Sequence, residues 1–254
     1  MNELLENVIW YRYIMNGIVF VLGASIGSFC MVVGSRGAAG ESPWKGRSHC
    51  CSCGHELNFI DLLPVFGWII RGGKCKYCGS ALSPTYVIIE AICGAMYALT
   101  FERFEVSILT LLYFLMFGFM VITAIYDMEL GEISDLYTIP IACFGALIGV
   151  CRAGEISLIV SLIGSIMLGL LGLILRNKIG GADIIVLMGI VFTVSILQFA
   201  VLLQIMGILG IVYILIKNKF NVKEKFFGVA VRFLPIIYLA YAILFIFQPL
   251  IKIR

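Results

Sequence analysis

The 254-residue sequence predicts an all-α polytopic membrane protein of about eight transmembrane helices, with one small cysteine-rich insertion. Three observations carry that expectation. Hydrophobic residues make up 61% and charged residues only 13%, at a mean hydropathy of +1.07, whereas a water-soluble domain carries about 25% charged residues. Apolar runs recur along the chain at lengths suited to a bilayer, where a spanning helix needs about 20 apolar residues. One stretch, 34–84, is long enough to form a small soluble domain, and it holds two C-x-x-C pairs.

The first run, Val8–Val33, has no basic segment ahead of it and no clear small-residue cleavage site. It therefore reads as a retained span and not as a removed signal. Further spans are expected near Thr85–Phe101, Val106–Tyr126, Leu136–Val150 and Ile156–Leu175. From Ile184 to Ile216 no charged residue marks a break. At ~1.5 Å per residue this run is too long for one crossing of a ~30 Å core. Two short helices, Ile184–Ser195 and Leu197–Ile216, are expected there, with a turn near Thr193–Gln198; Val229–Ile251 closes the set.

Lysine and arginine set the orientation. With 34–84 in the cytoplasm, that side collects Arg36, Lys45, Arg47, Arg71, Lys74 and Lys76. Alternation adds Arg176, Lys178, Lys217, Lys219, Lys223, Lys225 and Arg232. Arg12, Arg103, Arg152, Lys252 and Arg254 stay outside, which satisfies the positive-inside rule with both termini outside. The expected domains are a first span at 1–33, a cytoplasmic cysteine domain at 34–84 and a membrane domain at 85–254. The net charge of +3 is small and gives no reason to expect a nucleic-acid partner.

Within the insertion, Cys50-Cys51-Ser52-Cys53 and Cys75-Lys76-Tyr77-Cys78 are each followed by a glycine, Gly54 and Gly79. A two-residue gap lets both thiolates of a pair reach one tetrahedral Zn²⁺ at ~2.3 Å, and the glycine permits the tight turn. The expectation is a zinc-ribbon-like site of Cys50, Cys53, Cys75 and Cys78, in which a metal stabilises a domain with little core. The alternative is two disulfides or redox pairs, which a reducing compartment disfavours. His49 and His55 read as bystanders, and Cys51 could replace a neighbouring ligand. Cys30, Cys93, Cys143 and Cys151 lie in apolar context, as small packing residues do.

Carboxylates are rare in spans and mark functional sites when present. Asp127 ends the run Val121–Tyr126, and Asp183 closes Gly180-Gly181-Ala182-Asp183. The expected topology brings both to the cytoplasmic face. Two carboxylates that share a site hold a single proton, so one can activate water while the other hydrogen-bonds a scissile carbonyl. Gly180 and Gly181 let the backbone bend and a substrate strand approach. The plainer reading makes Asp183 an ordinary N-cap and leaves Glu129, Glu132 and Asp135 as solvated neighbours of Asp127. Glu90, within the second span, reads equally well as a polar site or as half of a buried ion pair.

Further short motifs then fall into order: Gly27-Ser28-Phe29, Arg47-Ser48-His49-Cys50, Asp61-Leu62-Leu63-Pro64, Trp68, and Gly73 through Gly79. After Glu90 come Asp127, Ile133, Asp135, Pro140 and the Gly180–Asp183 motif. Together they resemble the bacterial type IV prepilin peptidases, of the GxGD class of membrane aspartyl proteases. The resemblance implies cleavage of the basic leader of prepilins or pseudopilins at the cytoplasmic face of the inner membrane. It implies Asp127 and Asp183 as the catalytic dyad and Cys50, Cys53, Cys75 and Cys78 as zinc ligands. It also implies N-methylation of the new terminus from S-adenosylmethionine. The chain departs from the family pattern at Ala182, Ile185, Ser134 and Met31, and it holds no glycine-rich nucleotide motif. Two rivals stand beside this reading. One is a transporter or channel with a zinc-stabilised domain, whose carboxylates would line an ion path. The other is a methyltransferase or assembly factor with structural aspartates.

Overall fold

The computed structural model describes residues 2–50, 52–131, 133–152, 155–175, 180–220 and 232–247, excluding the side chains of 2–9, 155–156 and 217–220. Cys51, Glu132, Arg176, Lys178, Lys223, Lys225, Lys252 and Arg254 thus lie outside the description. The described residues are nearly all helical, and their only β pairings are two isolated bridges. The chain divides into two compact units, Met1–Thr110 and Leu111–Arg254.

The first unit is built on α1 (Asn2–Ala38) and α3 (Pro84–Phe104), which pack along each other. Between them run two cysteine turns and a five-residue helix, α2 (Phe66–Ile70). Ser83 starts α3 by accepting the Thr85 N–H at 3.3 Å, and Pro84 sits at the first helical position, where no amide is needed. Small residues let the two long helices touch. A Cβ on Gly23 would strike Tyr97, one on Gly27 would strike Cys93, and one on Gly94 would strike the Phe20 carbonyl. Close backbone approach of this kind is how helices associate in lipid, where apolar burial alone gives little driving force.

The second unit holds α4 (Ile108–Glu129) from Leu111 onward, with α5 (Asp135–Arg152), α6 (Glu155–Ile174), α7 (Gly181–Ile190), α8 (Ile196–Phe220) and α9 (Phe233–Phe247). Its core is the seam between α4 and α9. Tyr113, Met116, Phe117 and Met120 are buried there with Ile237, Tyr241, Leu244 and Phe245. Phe117 meets Phe245 edge to face at 5.4 Å, a favourable aromatic geometry. By contrast α6 and α8 leave most of their apolar surface exposed, as lipid-facing helices do. At the end of the unit remote from Asp127, Arg152 donates to the Thr193 carbonyl at 2.6 Å and to the Tyr113 hydroxyl at 3.2 Å. Thr193 in turn pairs with the Tyr241 hydroxyl at 2.8 Å. That network joins α4, α5, α9 and the turn after α7.

Each of the eight expected apolar segments contains a described helix. Six of them are long and apolar enough to cross a membrane. α7 and α9 are shorter, and α7, at 10 residues, rises only ~15 Å. The break in the long apolar run falls at Val191–Ser195. α7 packs between α5 and α6, and the backbones of α5 and α7 meet at Gly145 and Gly189, where a Cβ on either glycine would overlap the other helix.

Candidate active site and metal centre

Each cysteine pair sits in a tight hairpin. Cys50 N–H donates to the His55 carbonyl at 2.9 Å, Gly54 N–H donates back to Cys50 at 2.8 Å, and His49 bridges to Glu56. The second hairpin repeats the pattern: Cys75 N–H to the Ser80 carbonyl at 2.8 Å, Gly79 N–H to Cys75 at 3.0 Å, and a bridge from Lys74 to Ala81. Gly54 and Gly79 close these turns at φ 70° and 72°, in the left-handed region that favours glycine. The two turns face each other. The ligand atoms of Cys50, Cys53, Cys75 and Cys78 all lie within 4.8 Å of one another.

A tetrahedral ion with ~2.3 Å Zn–S bonds needs sulfurs ~3.8 Å apart, and Cys50 Sγ stands 3.9 Å from Cys78 Sγ. The donor set therefore fits a structural zinc ion. These cysteines are free thiols here and not paired disulfides. The Cys50 thiol is lowered to about 6, first by the Ser52 N–H and then by the Cys53 N–H. The Ser80 hydroxyl and then its N–H lower Cys78. Cys53 runs the other way: against the His55 N–H, which lowers it, burial and the neighbouring Cys78 and Cys50 thiols push it up to about 11. The metal-free cluster thus favours thiolate, the ligating form, at Cys50 and Cys78. His49 Nδ1 approaches the Arg47 carbonyl at 3.3 Å and His55 stacks on Tyr77, so neither ring belongs to the thiol group.

In the second unit, Asp127 occupies the last turns of α4 and is 6% exposed, while Glu129 and Asp135 are exposed. Its Oδ2 accepts the Leu234 N–H at 3.2 Å, at the start of α9. Its backbone carbonyl accepts Nη1 of Arg232. Asp183 lies in the first turn of α7, half-buried, at the same end of the unit as Asp127, because the Arg152 network ties the start of α4 to the turn after α7 at the other end. The N-cap of α7 is Gly180, in extended conformation, so Asp183 is a first-turn residue and not the cap. A Cβ on Gly180 would press on Asp183 Oδ2, whereas one on Gly181 would meet open space. The glycines thus leave the approach to Asp183 clear.

Glu90 is placed otherwise than an ion pair. Its Oε2 accepts the backbone N–H of Val65 at 2.8 Å, and among the described residues no basic group lies within ion-pair distance. Sequence reasoning missed Arg232 and Leu234 as neighbours of Asp127. The only signal was an arginine directly ahead of the apolar run that opens Phe233-Leu234-Pro235.

Comparison with known proteins bears on this arrangement. The family described as "Bacterial Peptidase A24 N-terminal domain" matches residues 21–104. A "Prepilin leader peptidase/N-methyltransferase" of Bacillus subtilis (strain 168) is 25% identical over 202 residues, covering 78% of this chain and 82% of that protein. Over most of its length the chain is similar to a prepilin leader peptidase/N-methyltransferase. Proteins of the same name from Myxococcus xanthus (strain DK1622) and Dichelobacter nodosus are 34% and 32% identical. Those matches cover 34% and 50% of this chain, and 26% and 43% of the two proteins. No solved structure matches. The A24 N-terminal match contains the later part of α1, Cys50, Cys53, Cys75 and Cys78, Glu90 and α3. Asp127 and Asp183 lie beyond it. Six spanning helices and this relationship make the chain a multi-pass membrane protein.

Proposed function

We propose that this prepilin peptidase relative is an aspartic endopeptidase that removes the basic leader of a type IV prepilin or pseudopilin. It acts at the cytoplasmic face of the inner membrane, with Asp127 and Asp183 as its catalytic carboxylates. One observation carries the reading: a buried carboxylate at the end of α4 and a half-buried one in the first turn of α7 stand at the same end of one helical unit, and Gly181 at the start of α7 faces open space.

The chemistry follows from a pair that holds one proton. The ionised carboxylate takes a proton from water as the water oxygen attacks the scissile carbonyl carbon. The protonated partner donates a hydrogen bond to the carbonyl oxygen as it gains charge. Collapse of the tetrahedral intermediate returns a proton to the leaving amine. The Leu234 N–H fixes Asp127 Oδ2, so the base is oriented before substrate arrives.

Cys50, Cys53, Cys75 and Cys78 would hold a zinc ion whose contribution is folding, because four thiolates leave no open coordination position. Methylation of the new N-terminus, from S-adenosylmethionine, is part of the proposal on the strength of the relatives' names. The positive-inside distribution supports the cytoplasmic orientation.

Mass spectrometry of a prepilin co-expressed with the wild type or with Asp183→Asn tests the proposal. The leader should be lost only with the wild type, and the mature terminus should carry an added methyl. Leader loss with both proteins would assign cleavage to another enzyme. An unmethylated mature terminus would remove the second activity and leave the first.

A further inference from the structure

The segment Asn58–Arg71 is joined to the membrane helices of its own unit at unexpected depth. Glu90 lies six residues into α3, ~9 Å along the helix from Pro84, and its carboxylate holds the Val65 N–H at 2.8 Å. On the other side, Leu62 and Pro64 share the walls of a cleft of about 330 Å³ with residues of α1 from Ser25 to Arg36. The cleft thus runs from the charged end of α1 into the apolar run of the first span, and Ser25 lies ~20 Å before the end of that helix. The hairpin therefore reaches back alongside two spanning helices instead of standing clear of them.

Its surface suits that position. Phe59 is 78% exposed, Phe66 51%, Ile69 59% and Ile70 61%, a density of bare apolar side chains unusual for a segment in water. Its backbone is largely satisfied from within: Gly67 N–H donates to Leu63, Ile69 to Val65 and Arg71 to Gly67. Internal pairing is what nonpolar surroundings demand of a backbone. The two charges within the hairpin neutralise each other, with Arg71 Nε 2.5 Å from Asp61 Oδ1. Directly after it come Lys74 and Lys76, both exposed, of the sign that anionic headgroups attract.

We infer that Asn58–Arg71 is a membrane-embedded interfacial hairpin: its apolar side chains enter the acyl region beside α1 and α3, Lys74 and Lys76 lie among anionic headgroups, and the cysteine site is thereby held against the bilayer. The occupant of this surface is lipid. Continuity with the apolar belts of the two spans, and the complementary charge at its edge, select lipid over a protein partner.

Tryptophan quenching in the full-length protein tests this independently of peptidase activity. The parent carries Trp10→Phe and Trp44→Phe and keeps Trp68, whose indole donates to the Leu82 carbonyl. Ile70→Trp, Phe59→Trp and Lys76→Trp are added singly, at side chains exposed in the fold. Each protein is placed in nanodiscs of phosphatidylcholine and phosphatidylglycerol with brominated acyl chains. Most of the emission added by Ile70→Trp and by Phe59→Trp should be lost, while that added by Lys76→Trp is kept. Emission at both apolar positions as resistant as at Lys76→Trp overturns the inference, because water or protein then covers the hairpin. Two reporters far apart in the segment, each checked for zinc content, keep a single misfolded variant from deciding the result.

Discussion

At the scale of single residues, environment separates carboxylates that look alike in the sequence. Asp127, Glu129 and Asp135 lie within nine residues of one another, yet only Asp127 is buried and fixed by a backbone N–H. Asp61 carries a pH prediction. Burial pushes its carboxyl up, but the hydrogen bond from Arg71, the Asn58 N–H and the charges of Arg71 and Lys76 outweigh it and hold the group below its ordinary value. A group with a depressed folded-state pKa stabilises the fold above the ordinary carboxylate range and loses that contribution as pH falls through it. The Asn58–Arg71 hairpin should accordingly loosen on acidification below about pH 4, read as loss of amide-exchange protection across 58–71 after correction for intrinsic rates, and Asp61→Asn should remove that pH dependence and lower the protection at neutral pH. Equal protection of the wild type at neutral and acid pH would contradict this.

At the scale of elements, legibility in the sequence followed the kind of force involved. Spanning helices were readable because hydropathy is summed over about 20 residues and few other structures satisfy it. The cysteine turns were readable because two-residue spacing and a following glycine are local requirements of tetrahedral thiolate geometry. The hairpin around α2 was not, since its apolar residues are too few for a span, and Val65 adopts φ 64°, a conformation its side chain disfavours. Glu90 was open between a polar site and an ion pair for a related reason: sequence alone does not reveal that its partner is a main-chain amide 25 residues earlier. The cysteine element also carries a prediction. Since the thiols approach zinc geometry without a large core around them, Cys75→Ser should abolish stoichiometric zinc and expose 48–82 to protease, while the helices of the second unit stay protected. Full protection of 48–82 in zinc-free protein would show that the metal is dispensable for this fold.

At the scale of the whole molecule, polar groups are few and are spent at defined places. In the second unit, Arg152, Thr193, Tyr113 and Tyr241 close one end of the bundle, and at the other Arg232 meets Asp127 and α7 begins with Asp183 in its first turn. The placement of Asp127 at the end of α4 and of Asp183 at the start of α7 was legible because each closes or opens an apolar run. The part played by Arg232 was not, since it reaches Asp127 across 105 residues and no local pattern encodes that contact. The shortness of α7 was half legible: chain length required a break, but the Gly145–Gly189 crossing that lets α7 sit against α5 arises only in three dimensions.

The central claim is that Asp127 and Asp183 act as one catalytic unit. Its most direct test is kcat/KM for leader cleavage by purified protein in nanodiscs, for the wild type, Asp127→Asn, Asp183→Asn and the double variant. Groups that act as a unit are strongly non-additive, so each single variant should lose at least about 10³-fold and the double variant little more than either. Substantial cleavage by either single variant, or losses that multiply in the double variant, would contradict a shared site.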